Sequence, residues 1–313
     1  MRLLMHTGLA TALSIAVSST LAQAADSKPV TIGPDTDRQQ MTFQKDDAGY
    51  ALLPERIKSS KRLVVGVEAN AGYPDAIIKA DENYGVSVDF ANAVGAALGI
   101  DVTITTMPFG SIIPSLGANR IDYSSALFLD TAARRQSVDF LDIAYYLGDT
   151  FVLRKDSSIT DLTFDNACGH TVAAIQGGAS VTRLTENSKK CEADGKKPID
   201  VKTFGGNSEA LLAVKSGRVD GAVFQAQQIK YIIKADPENL KLGSASSTEK
   251  AGYFAVALSK NSDLMPALRA ATLSLESSGK WKQILELYNY GEGTPTKQVI
   301  ENTAPVPTTI PVP

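Results

Sequence analysis

Apolar residues along the chain fall into short blocks whose period changes from one block to the next. Leu63-Val64-Val65-Gly66-Val67 is an unbroken apolar run, the pattern of a strand covered on both faces. Val86, Phe90, Val94 and Leu98 recur at a spacing of four and predict one face of a helix closed by Gly99. Strand follows at Val102–Met107, then a helix at Ile112–Asn119 with Pro114 in its first turn, then strand at Ile121–Ala126. A second series repeats the alternation: strand Thr171–Ile175, helix Val181–Lys190, strand Ile199–Phe204, helix Ser208–Ser216 and strand Val219–Phe224. Tyr253–Leu258 then reads as strand, and Met265–Ser277 and Trp281–Tyr288 as helices. This alternation predicts an α/β protein built on parallel sheets with helices on both faces. The two series, joined through Leu147–Leu153, predict two lobes, and the strand and helices left over at the end are expected to return to the first. A chain that crosses twice between lobes makes a hinge, and the cleft beside a hinge is the expected ligand site.

The ends of the chain read differently. Arg2 precedes the short apolar run Leu9–Val17, and Ala22-Gln23-Ala24 supplies a small-x-small cleavage pattern, so residues 1–24 are expected to be a signal peptide. The run is too short to span a membrane. No cysteine follows the cleavage site, so the mature protein is expected to be exported and soluble and not lipid-anchored. Residues 25–56 are polar and are expected to form an N-terminal extension of low order. The first lobe is assigned to 57–147 plus 252–290 and the second to 148–251. The proline-rich segment 291–313 is expected to be a disordered tail.

With 43% hydrophobic and 21% charged residues among 313, the composition is that of a globular protein. Lys+Arg 31 against Asp+Glu 34 gives a net charge of −3, which offers no basic excess for a nucleic-acid backbone. Cys168 and Cys191 in an exported chain suggest one disulfide, with two buried free thiols as the alternative. Once the leader is removed, His170 is the sole histidine, which leaves no material for a catalytic triad or a histidine-rich metal site. No nucleophile-elbow, phosphate-loop or dinucleotide-binding motif occurs, so no cofactor is expected. Gly177-Gly178 before a helix start at Ser180 offers backbone N–H groups to an anion, which is binding chemistry.

Several segments together resemble a known family. They are Leu63–Val67, Tyr73-Pro74, Gly85–Ala91, Ile113–Leu116, Asp130-Thr131-Ala132-Ala133-Arg134, Val138-Asp139-Phe140, Cys168–Ala173 and Ser216–Ala222. In order and spacing they resemble the periplasmic amino-acid-binding proteins of bacterial ABC importers, extracellular solute-binding protein family 3. The resemblance implies a two-lobe clamshell with two interlobe crossings that closes over a small carboxylate ligand and docks on membrane permease subunits, as a monomer and without catalysis. It implies that Arg134 grips the ligand carboxylate, which suits a guanidinium's bidentate geometry. Arg135 next to it is expected to point elsewhere. Tyr73, Phe109 and Phe128 match the aromatic positions flanking the ligand side chain. One branch of the family carries a cysteine pair at these positions, which supports the Cys168–Cys191 bridge.

Departures from the family pattern bear on the ligand. Ala126, Leu127 and Leu129 stand where small hydroxyl residues are usual. Gly177-Gly178-Ala179-Ser180 replaces a Gly-Thr-Thr loop, which leaves the backbone and the Ser180 hydroxyl. Gln225 stands where the ammonium-binding Asp is expected, so a neutral amide replaces a charge-assisted contact. These departures favour an amino-acid derivative or organic acid over an ordinary α-amino acid. The alternative is a periplasmic dehydratase of the cyclohexadienyl type on the same fold. That chemistry needs an acid poised in the cleft, and the second-lobe positions assigned to the cleft, Gly178, Ala179, Ser180 and Gln225, hold no carboxylate.

Overall fold

A computed structural model describes residues 27–244, 252–288 and 290. The expected signal peptide and C-terminal tail lie outside the described residues. The first lobe carries a five-stranded sheet of β3 (Arg62–Glu68), β6 (Asp101–Met107), β7 (Tyr123–Leu129), β8 (Val138–Tyr146) and β14 (Gly252–Ser259), in the order β6-β3-β7-β14-β8. The second carries β9 (Asp149–Arg154), β10 (Thr171–Ile175), β11 (Asp200–Phe204), β12 (Gly221–Gln225) and β13 (Leu240–Leu242), in the order β11-β10-β12-β9-β13. A small hairpin of β4 (Ile77–Ile78) and β5 (Asn83–Tyr84) lies between β3 and the next helix.

Neither large sheet is wholly parallel, which corrects the expectation from the strand–helix alternation. β3 runs parallel to β6 and β7, and β10 parallel to β11 and β12. β14 is antiparallel to β7 and β8, and β9 to β12 and β13. The rule that forces parallel neighbours governs a strand–helix–strand unit within one sheet. β9 and β14 arrive from the other lobe, so no crossover helix sets their direction. The chain crosses first at Leu147-Gly148, between β8 and β9, and again between β13 and β14.

Helix α3 (Val86–Leu98) shows how the first lobe is assembled. Every residue of it except Asn92 is buried, and Gly99 ends it in the left-handed conformation that glycine adopts without strain. A helix buried on all sides needs a second cover besides the sheet. The cover is the described part of the extension, residues 27–56, expected to have low order and instead folded. Strands β1 (Ser27–Ile32) and β2 (Gln39–Gln44) pair antiparallel, and helices α1 (Asp47–Ala51) and α2 (Glu55–Ser60) follow. Ile32, Met41, Phe43, Leu53 and Ile57 enter the main core beside α3. Gly33 N donates to Asp89 Oδ2 at 2.7 Å, which ties the hairpin to α3.

Helix α4 (Ile112–Gly117) packs on the opposite face of the first sheet, while α8 (Met265–Ser277) and α9 (Lys280–Leu287) join α3 in the main core. In the second lobe α5 (Ala179–Ala193) and α6 (Asn207–Lys215) flank the sheet, and α7 (Ala226–Ala235) follows β12 directly. A disulfide joins Cys168 and Cys191, tying the turn before β10 to α5.

Candidate functional site

Parallel strands place their carboxyl ends at one edge of a sheet, and ligands gather there. The ends of β3, β7, β10 and β12 converge at the interlobe cleft. The loop after β7 holds Arg134. Arg135 Nε donates to Asp130 Oδ1 at 2.7 Å, so this neighbour folds back on its own loop, away from the cleft. The Arg134 amide N donates to Thr131 Oγ1 at 3.3 Å and shapes the turn. The Arg134 guanidinium lies 5.4 Å from the ring centres of both Phe109 and Phe128, a cation–π arrangement that steadies its flat face. It donates to Leu129 O at 2.8 Å and, across the cleft, to Gly177 O at 3.0 Å. Burial lowers its pKa to about 10, with the charges of Asp149 and Asp130 opposing the shift, so it stays cationic at neutral pH.

Two adjoining cavities share this arginine. The inner one is about 80 Å³ and is bounded by Glu68, Leu127, Asn207, Gln225 and Gln228 among others. The outer one is about 780 Å³ and lies between Phe109, Ile113 and Phe128 on one wall and the first turns of α5 on the other. Phe109, Leu129, Arg134, Tyr146, Asp149, Ala179 and Ser180 border both. No side chain caps the N-terminus of α5, so the amide groups of Ala179 and Ser180 stand beside Arg134 at the positive end of a helix.

Most sequence-expected residues are gathered here, and two are not. Tyr73 borders neither cavity; its ring is held at 4.4 Å from that of Tyr231 and 5.9 Å from that of Tyr288, near the hinge. Ala126 borders neither, because strand alternation turns it into the core under α4 with Ile112 and Leu116. Leu127, one residue on, faces the opposite side and reaches the inner cavity. Phe128 stacks behind Phe109 with ring centres 4.6 Å apart. Gln225 borders the inner cavity, and its Oε1 is buried without a hydrogen-bond partner among the described residues.

The sequence reading missed the acids. Glu68 is the last residue of β3 and borders the inner cavity. Burial, helped by the nearby Asp75 charge, pushes its carboxyl up to about 8, and no hydrogen bond or ion pair reaches it among the described residues. Its signal was legible: a charged residue directly ends the apolar run Leu63–Val67 at the carboxyl end of a strand. Asp149, first residue of β9, borders both cavities. Burial raises its pKa, opposed by a hydrogen bond from Tyr146 and by the charges of Arg183 and Arg134. The cleft therefore does hold carboxyl groups, contrary to the reading of the second-lobe positions alone.

A buried polar cluster joins the lobes beneath the cavity. Gln228 Nε2, on α7, donates to Asp75 Oδ2 at 2.8 Å and to Ala71 O at 3.3 Å. Tyr290 OH donates to Asp75 Oδ1 at 3.2 Å, and Asn207 N to Asn70 O at 3.2 Å. Burial pushes Asp75 up to about 7, against the pull of those two side-chain donors. The lobes also meet at Gly177, whose added Cβ would stand 2.8 Å from Gly110 Cα. The cleft is thus closed.

Comparison with known proteins agrees with this geometry. The family model for bacterial extracellular solute-binding proteins, family 3, matches residues 63–291. The arginine-binding protein ArgT of Corynebacterium glutamicum is 27% identical over 246 residues, covering 78% of this chain and 79% of that protein. A mutant of ArgBP from T. maritima superposes with a TM-score of 0.67 at 28% identity, covering 76% of this chain and 99% of that one. An ancestral arginine-binding protein bound to arginine gives a TM-score of 0.65 at 27% identity, covering 73% and 98%.

Proposed function

The chain belongs to the bacterial extracellular solute-binding proteins, family 3, and on that premise we propose that it captures a small ligand of the amino-acid class. The ligand bears one carboxylate and at least one cationic nitrogen. In this reading Arg134 and the α5 amide groups hold the carboxylate, and Glu68 receives the cation. The protein works in the periplasm as a monomer, closes its lobes over the ligand and delivers it to the permease of an ABC importer. The observation that carries the reading is the pairing, around one interlobe cavity, of a cleft-spanning guanidinium with a carboxyl that no group among the described residues neutralises. Burying a lone charge is costly, so a cleft with a cation at one end and an unpartnered acid at the other favours a zwitterionic or dipolar guest. Relatives named for binding arginine support a basic side chain facing Glu68.

Titration calorimetry of the mature protein against basic and neutral amino acids and their derivatives tests this. Binding by at least one basic compound is expected, together with its loss in Arg134→Ala. A ligand that binds equally well without Arg134 refutes the assignment of the cleft.

Glu68 also keeps the dehydratase reading open, since a carboxyl titrating near 8 is protonated at neutral pH and is the kind of acid such chemistry needs. Incubation with prephenate or arogenate separates the two: an aromatic product identifies the enzyme, and recovery of unchanged substrate favours the binding protein.

A further inference from the structure

The proposal above rests on one cation facing one acid, and the charge balance of the cleft carries the ligand further. An ordinary basic amino acid has two cationic nitrogens and one carboxylate. Around the inner cavity, among the described residues, Glu68 is the acid without a partner. Asp149 is engaged by Tyr146 and faces the charges of Arg183 and Arg134, and Asp75 is engaged by Gln228 and Tyr290. Gln225, which borders the same cavity, is neutral, so no carboxylate stands at that position. An uncharged amide nitrogen beside Gln225 needs no counter-charge, whereas an ammonium there stays without one.

Volume points the same way. The inner cavity, about 80 Å³, opens beside Arg134 onto an outer one of about 780 Å³. The outer cavity has an apolar wall of Phe109, Ile113 and Phe128 opposite Thr182, Arg183 and Glu186 of α5. That space exceeds what a single amino acid needs, and its Phe109–Ile113–Phe128 side suits an uncharged apolar group.

We propose that the cleft is built for a basic amino acid whose α-nitrogen carries an acyl group, with the uncharged amide lying on the side of the cavity bounded by the neutral Gln225 and the acyl substituent lying in the outer cavity. This deepens the reading above and depends on it.

Calorimetry on the mature protein with L-arginine, Nα-acetyl-L-arginine and Nα-benzoyl-L-arginine tests it. The acyl compounds are expected to bind at least about tenfold more tightly than arginine, with benzoyl the tightest, because the ring meets the apolar wall. Thr182→Trp, at an exposed position on the outer wall, narrows that cavity and should cut the benzoyl-to-arginine preference about tenfold. Gln225→Glu should reverse the preference by giving a free ammonium its partner. Arginine binding more tightly than both acyl compounds overturns the inference and leaves the basic-ligand reading standing. Binding of none of the three overturns both. An unchanged preference in Thr182→Trp removes the outer cavity from the site.

Discussion

In the proposed reading Arg134 and Glu68 divide the work of the cleft by charge, and each responds differently to change. Arg134→Ala removes donors to Leu129 O and Gly177 O along with the cation a carboxylate needs. Ligand affinity is expected to fall at least about 100-fold, ~2.8 kcal/mol, as charge-assisted bonds are lost. Arg134→Lys keeps the charge without the planar fork and should recover only part of that loss. Calorimetry on both variants reads the difference. In the same reading Glu68 should make binding pH-dependent. Its carboxyl titrates at about 8 in the unliganded cleft and must ionise to receive a cation. Affinity for a basic ligand should therefore rise as pH increases toward 8, by up to about tenfold per pH unit, with proton release on binding. Glu68→Gln should flatten that slope, and a wild-type profile that stays flat from pH 6 to 8.5 would mean that Glu68 does not meet the cation. Stability of the ligand-free protein runs the opposite way. Glu68, raised to about 8, and Asp75, Asp89 and Asp142, each raised to about 7 chiefly by burial, hold protons in the fold that the unfolded chain gives up near 4. Their contribution is present at low pH and is lost as pH rises through 7 to 8. The ligand-free Tm is accordingly expected to be higher at pH 5 than at pH 8.5, and the reverse order would show that these groups ionise freely in the fold.

Among the elements, α5 is held at both ends: its first turn borders both cavities and Cys191 near its last turn is bonded to Cys168. With a sequence separation of 23 residues, the bridge constrains the unfolded chain by about 3 kcal/mol. Reduction, or Cys168→Ser with Cys191→Ser, should lower the Tm, and an unchanged melting curve would mean that the bridge is not what holds the helix. The elements legible in the sequence were those whose apolar pattern met one environment throughout. β10 (Thr171–Ile175) and α8 (Met265–Ser277) have the bounds that periodicity predicts, and α3 ends at Gly99 as read. The hairpin β1–β2 was missed because β2 carries its buried alternation on Met41 and Phe43 alone within a Gln-rich stretch, and β1 buries only Ile32 at its end. α7 was missed although Ala226, Ile229, Ile232 and Ile233 keep a helical spacing; its first turn also buries Gln227 and Gln228, polar residues whose contacts between lobes local spacing does not encode. The site followed the same logic. Arg134 was found through its motif, while Glu68 was passed over because the apolar run was read to Val67 and its final polar residue left out. Tyr73 was assigned to the ligand although its ring packs against Tyr231, a long-range pairing that local spacing does not encode.

At the scale of the whole molecule, closure depends on backbone meeting backbone across the cleft, and one glycine isolates that requirement. Gly206, at the start of α6 in the second lobe, has extended backbone angles open to any residue (φ −173°, ψ 172°), so a side chain there need not strain its own lobe. Its added Cβ would nevertheless stand 2.3 Å from Asn70 Cβ of the first lobe. Because that atom belongs to the other lobe, the overlap is relieved by opening the hinge and leaves both cores intact. Gly206→Val should thus hold the lobes apart while each keeps its fold. Far-ultraviolet circular dichroism should match the wild type, and small-angle scattering should show an expanded particle that ligand does not compact. Affinity should fall by the free energy closure contributes, because a ligand then meets Glu68 and Arg134 without the α5 amide groups on the facing lobe. If Gly206→Val binds ligand as tightly as the wild type and compacts with it, the closed arrangement of Asn70 against Gly206 is not the binding-competent state. Capture would then have to be ascribed to a wider cleft in which Arg134 does not reach Gly177 O.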